Sequence, residues 1–382
     1  MNGKGREWPR EIQRTQDERT GAIVWQITNH PSIHHHLYFL TSSFSPDEKH
    51  LFFAGFRNGT ANFYCADFPV GTILQLTDAA DINSFSAVIS HDGTIVYFTQ
   101  ADRIVALYLD DLTEKTLAQF PGGRLGEVDL SSDGRWLTSA IRLKGENGIA
   151  VCSAQGGEAS IVYRQRNVIV HPQFHPTDSN CIEFAQDPAP RMHLIRRDGT
   201  GLRCLYSHTN DEYVVHETWL GDTGDLVFVY WPYAIKRMNL SNGEIHTIAE
   251  FNAWHISPSR DGRYILCDTN HPDIGLQLVE TATGKRTTVC FPQSSNAGSQ
   301  WMKTRYAEKA DFEAAARCSG LGAAAESTWM EMKTDTVYGP QWTHPHPSFS
   351  PSRRYAAFTS DRSGYSQVYV VEIPRDFFYN RM

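Results

Sequence analysis

The chain has 382 residues, 41% hydrophobic and 20% charged, with a net charge of −8; this balance fills a globular core and excludes disordered and collagen-like classes. The acidic balance and the lack of a long basic run give no expectation of nucleic acid or an anionic membrane as partner. Seven scattered cysteines without a CxxC pair suit reduced thiols and exclude a disulfide framework or a cysteine metal site. The first twenty or so residues are polar and lack the apolar segment of a signal peptide. No apolar run is long enough to span a bilayer, so a cytoplasmic location is expected.

In chain order, the first apolar element is the strand Thr20–Thr28 (TGAIVWQIT), followed by His34-His35-His36. A unit then recurs: an apolar approach, a turn of the S-x-D-G kind and an apolar strand. It appears as SFSPDEKHLFFAGF, AVISHDGTIVYFTQ, VDLSSDGRWLTSAI, PQFHPTDSNCIEFA, TWLGDTGDLVFVYW, HISPSRDGRYILCD and PSFSPSRRYAAFTS. The turns start at Ser45, Ser90, Ser131, His175, Leu220, Ser259 and Ser350, mostly about 40–45 residues apart. A further strand follows each pair. This is the period and content of a β-propeller blade, and seven units predict an all-β, seven-bladed propeller forming one domain over 1–382. The last unit lacks a fourth strand, which Thr20–Thr28 can supply, closing the ring and removing an open edge. The long final step carries an insertion at about 292–339, with a predicted helix near Ala307–Cys318 (AEKADFEAAARC).

Equivalent positions of different blades lie at equivalent places around the channel. Four residues before each turn stand Thr41, Ser86, Glu127, His171, His216, His255 and His346. Four of these are histidine, where 16 histidines in 382 residues would place less than one by chance. A ring of polar residues around channel water is the structural reading. The functional reading is a cluster of imidazoles that binds a metal and moves a proton. His344 and Gln341, in QWTHPHPSF, can join it. Its prolines exclude the middle of a central strand and make a stiff loop, and residues two apart in an extended chain point the same way. Three imidazoles and an amide oxygen suit manganese, iron, nickel or zinc better than calcium or magnesium. His35 and His36 either reach the same mouth or lie in a solvated turn. No G-x-S-x-G, P-loop or dinucleotide fingerprint is present, and most aspartates fall in turns, so neither a serine hydrolase nor a two-carboxylate glycosidase is supported.

TGAIVWQIT, SIHHHLYF, HPQFHP, PRMHLIRRDGTG, VVHETW and QWTHPHPSFSP, in this order and spacing, resemble the oligogalacturonate lyases of pectin-degrading bacteria. That family consists of seven-bladed propellers with a manganese site in the channel. The resemblance implies His255, Gln341, His344 and His346 as metal ligands, most simply of Mn2+. It implies His216 as the Brønsted base and Arg191 beside it; His35, His36 and His171, by their place near the mouth and in the register, are substrate-binding candidates. The implied reaction is β-elimination on short uronate oligosaccharides, which leaves a 4,5-unsaturated uronate. Blade three is shorter here (AIRLKGENGIAVCS, Ala140–Ser153) and the stretch between Phe291 and Gly339 longer, so the sugar gripped at the mouth can differ. A lyase acting on another uronic-acid disaccharide and a non-catalytic binding propeller are the alternatives.

Overall fold

The computed structural model describes residues 3–269, 272–295 and 341–378. They form seven antiparallel sheets, the blades of a β-propeller. Blade one runs through His34–His36, His50–Gly55, Asn62–Asp67 and Ile73–Gln75, with Glu7–Trp8 added at its edge. Blades two to six each use four consecutive strands, beginning at Val88, Arg124, Val168, Val214 and Ala253. Blade seven is composite. Ser348–Phe349, Tyr355–Ser360 and Gln367–Glu372 are completed by Ile23–Gln26, which pairs with the last of them (Val24 opposite Val371), and then by Gln13–Gln16. Both ends of the chain thus share one sheet. Most of the 292–339 insertion, including the helix expected at Ala307–Cys318, lies outside the described residues. Among the described residues no helix is long and apolar enough to cross a membrane.

The repeated turn has a simple physical basis. Ser45, Ser90, Ser131 and Ser259 each donate their hydroxyl to the aspartate two residues on, at 2.6–2.7 Å. Each hydroxyl oxygen also accepts the N–H of the residue five on, at 2.9–3.0 Å. The short polar side chain thereby satisfies backbone groups that the reversing chain leaves unpaired. The strands on either side alternate, and their apolar side chains gather between neighbouring blades. Phe52, Ala54 and Phe63 of blade one meet Val96 and Phe98 of blade two. Val215 and Val229 of blade five meet Ile256 and Ile265 of blade six. The same pattern joins blade seven to blade one through Val368 and Phe53.

Candidate metal and catalytic site

In blades three to six, the pairing of the first strand with the second slips by one residue at the predicted histidine register. The slips lie between Leu125 and Val128, Val170 and Gln173, Val215 and Thr218, and Ala253 and Ile256. A β-bulge of this kind turns a side chain out of the alternation, here toward the axis. His171, His216 and His346 have φ of 52°, 56° and 45°, the left-handed region that costs an L-residue about 1–2 kcal/mol. The register therefore holds strained backbone at three of its four histidines, as functional sites often do.

Three of the expected ligands meet. Nitrogens of His255, His344 and His346 all lie within 4.8 Å of one another, and all three side chains are buried. The rings of His255 and His346 are 3.8 Å apart between centroids. His255 Nδ1 lies 2.8 Å from Asp268 Oδ2. A proton on Nδ1 shared with that carboxylate leaves Nε2 as a lone-pair donor, the arrangement by which second-shell carboxylates orient metal-binding histidines. Asp268 also accepts the N–H groups of His255 (2.7 Å) and His346 (3.1 Å), so one carboxylate holds both the blade-six strand and the HPH loop. His346 Nε2 is buried without a hydrogen-bond partner, a cost of about 1–3 kcal/mol that an ion would remove. A buried, all-imidazole donor set of this kind fits a first-row transition metal. Gln341 opens a short 3-10 turn ahead of His344, whose N–H donates to the Gln341 carbonyl (3.1 Å), and it lines the adjoining cavity.

His216 stands next to this group, its ring 4.5 Å from that of His255 and 4.6 Å from Trp254. Burial, reinforced by the neighbouring His255, holds its pKa well below the ordinary value, so the imidazole is neutral near pH 7 and can accept a proton. Arg191 is buried and fully held. Its Nε and Nη2 donate to the two oxygens of Glu217 (2.7 and 3.1 Å), and its Nη1 pairs with Asp187. Its backbone N–H donates to His208 Nε2 (3.0 Å), and its carbonyl is bonded by His193 Nδ1 (3.1 Å). Glu217 follows His216 in sequence, so this clamp fixes the arginine relative to the histidine. Burial works to raise the Glu217 pKa, but the Arg191 guanidinium outweighs it and holds the carboxyl below its usual value.

The substrate-binding candidates divide. His171 Nε2 lies 3.2 Å from the Tyr38 hydroxyl and faces the ring centre. His34–His36 form the buried first strand of blade one, not a solvated turn. His36 bonds Ser43 Oγ through Nδ1 (3.0 Å) and the Pro345 carbonyl through Nε2 (3.1 Å). Burial drops its pKa to about 3, and both nitrogens are engaged, one of them with the HPH loop. His35 stacks on Phe85 at 4.1 Å and bonds the His36 carbonyl. At blade one, Thr41 falls in a loop. That loop instead places Tyr38 against His171 and His346, and Phe39 within 5.1–6.2 Å of the rings of His171, His216, His255 and His346. Phe39 is 1% exposed and fills the centre of the ring.

Sequence reasoning missed Tyr38, Phe39, Asp187, Glu217 and Asp268. Asp268 carried a visible signal, an acid inside the apolar strand YILCDT. Phe39 carried none, because its position depends on how a loop folds back.

A family model described as oligogalacturonate lyase matches residues 2–146. The oligogalacturonide lyase of Pectobacterium atrosepticum is 23% identical over 97% of this chain and 98% of its own. The oligogalacturonate lyase of Dickeya dadantii is 22% identical over the same shares. A solved oligogalacturonate lyase in complex with manganese superposes with a TM-score of 0.81 at 22% identity, covering 98% of this chain and all of the other. The oligogalacturonate lyase of Vibrio parahaemolyticus gives 0.78 at 20%, with the same coverage. The propeller, the ordered motifs along the chain and these likenesses agree: over nearly its whole length the chain is similar to oligogalacturonate lyases and shares the fold of the solved ones.

Proposed function

We propose that this protein is a metal-dependent lyase that cleaves oligogalacturonates by β-elimination. The observation that carries the reading is a neutral, half-buried His216 directly beside the His255–His344–His346 cluster, next in sequence to the Glu217 that clamps Arg191. His255, His344 and His346 would hold the ion, with Gln341 adjoining, and manganese is the metal named for the related structure. When bound, such an ion supplies charge stabilisation for a carboxylate whose α-carbon is losing a proton.

The C5 proton of a uronate is too weakly acidic for a free imidazole at neutral pH, so its removal needs fixed positive charge at the carboxylate. His216 accepts that proton. The C5–H electrons become the C4–C5 double bond, and the C4–O4 bond breaks with its electron pair going to O4, which takes a proton from solvent, giving a 4,5-unsaturated uronate and a shortened saccharide. The charge of Arg191 is balanced by Glu217 and Asp187, so the arginine acts as a directional donor held in place, not as a free cation. The dry surround of Phe39 and Trp254 lowers the local dielectric and strengthens these interactions.

Purified protein loaded with manganese and given di- or trigalacturonate should produce ultraviolet absorbance from the conjugated product, and metal-stripped protein should not. No such product from any uronate oligomer would overturn the reading. Turnover of a different uronic-acid disaccharide alone would keep the mechanism and change the substrate.

A further inference from the structure

The bulges that carry His171 and His216 meet at one buried side chain. Gln173 follows His171 in the first strand of blade four (Val168–His175) and lies directly opposite Glu183 of the second (Asp178–Asp187). Its side chain crosses to blade five. Gln173 Nε2 donates to the Glu217 carbonyl at 2.9 Å, and Gln173 Oε1 accepts the Thr218 hydroxyl at 2.8 Å. Glu217 and Thr218 come directly after His216, so one amide holds the chain on the far side of the blade-five bulge. The same Nε2 lies 3.4 Å from the His171 carbonyl and 3.4 Å from Glu183 Oε2. The direction of the amide is fixed, because a carbonyl only accepts and must face the NH2 end.

Two observations give this link a mechanical task. His171 and His216 both have a left-handed φ, a strained conformation that persists only where the surroundings over-determine it. Gln173 bonds to the chain beside both. The Glu217 whose carbonyl it holds is also the residue whose carboxylate clamps Arg191. Base and arginine therefore share one anchor. Gln173, Glu183, Glu217 and Thr218 are all buried, and hydrogen bonds made out of water are costly to leave unmade. Burial, reinforced by the neighbouring Glu217, pushes the Glu183 carboxyl well above its ordinary value, so near neutrality it stands beside the amide without a competing charge.

We propose that Gln173 is a positioning residue for the elimination: it acts through His216 and Glu217, holding the base and the arginine clamp in one geometry across blades four and five. The proposal rests on the lyase reading for the task it serves, but the placement of His216 can be followed without turnover. Removing the amide releases the strained bulge. A base displaced by about 1 Å loses about 10²-fold in rate, while ground-state binding of sugar and ion is untouched.

The test uses the manganese-loaded full chain. Gln173→Leu, close in size and without polar atoms, should lower kcat for digalacturonate by about tenfold or more, with KM within about twofold of the parent and manganese content unchanged. Thr218→Val removes only the hydroxyl that Gln173 Oε1 accepts. It should lower kcat about threefold, the worth of a weak hydrogen bond, and add nothing to Gln173→Leu in the double variant, because the hydroxyl acts through the amide. Gln173→Glu supplies the rescue. The introduced carboxyl faces Glu183 of its own blade and Glu217 of the next, with His171 and Arg191 close by. It donates to the Glu217 carbonyl only when protonated, so its kcat relative to the parent should climb as pH is lowered from about 8 to about 6. A merely structural role would lower the melting temperature and leave these kinetic patterns flat. A kcat within twofold of the parent in both Gln173→Leu and Thr218→Val, or a Gln173→Glu ratio that stays low and flat, would overturn the proposal. Histidine-ring NMR, with the His216 signal identified by its loss in His216→Ala, decides the other question. No product from the parent, with the His216 signal displaced in Gln173→Leu, sinks the lyase reading and leaves the positioning role standing; product from the parent, with an unmoved signal and unchanged kcat in the variant, does the reverse.

Discussion

At the scale of single residues, the site depends on protonation states set by burial. His216 is neutral because a charged imidazole would be desolvated beside His255. Replacing it with alanine should reduce product formation by about 10²–10⁴, the usual worth of a positioned base, while metal content measured by elemental analysis stays at the parent level. Asp268 makes a complementary prediction. It accepts three N–H groups from His255 and His346. Asp268→Asn should weaken metal binding about 10–100-fold, read by competition with a chelator. His255 and His346 could be found in the sequence because the blade period repeats their register. Asp268 and Glu217 could not be assigned from it, because their partners are fixed by strand pairing across a bulge, and spacing alone does not predict bulges.

At the scale of elements, the repeat made the blades readable: each Ser-x-Asp turn encodes its own hydrogen bonds, so local sequence and local structure agree. The loop after His36 is the counterexample. Counting back from the blade-one turn predicts Thr41 at the axis, but the chain folds Tyr38 and Phe39 inward. A loop between two strands has no period, so neither its path nor its contribution to the channel was readable. Phe39→Ala would leave a void ringed by four imidazoles. It should cost about 3–5 kcal/mol, seen as a fall in melting temperature, and reduce activity by loosening the histidine positions.

At the scale of the whole molecule, the ring is held where the chain begins and nearly ends. Thr20–Thr28 was readable as the missing strand because an open blade needs one, whereas the added strands Glu7–Trp8 and Gln13–Gln16 are too short and polar to be seen. Asp17, in the turn before the closing strand, accepts N–H groups from Arg19, Thr20 and Phe291. Burial opposes its charge, but these donors prevail and its pKa is lowered. A carboxylate with a depressed folded pKa contributes stability that is present above its unfolded value near 3.9 and is lost as pH falls through the folded one. Asp17→Asn should therefore destabilise the protein by about 1–3 kcal/mol at pH 7, and the difference from the parent should shrink below pH 4 in denaturant titrations.

The Pro345 carbonyl accepts from Thr359 N–H at 3.0 Å and is bonded by His36 Nε2, so the HPH loop is fastened to blades one and seven together. Its neighbour His255 belongs to blade six. An ion held by this loop and His255 thus ties blade six to blade seven, the blade in which the circle closes. Occupancy and mechanical closure become linked equilibria: a ligand that binds only the folded ring adds RT ln(1 + [L]/Kd) to its stability. Chelation should therefore lower the melting temperature, and restoring manganese at about 100 times its Kd should return about 2.7 kcal/mol. The same ion would then serve two ends, tying two neighbouring blades together and readying the site for chemistry.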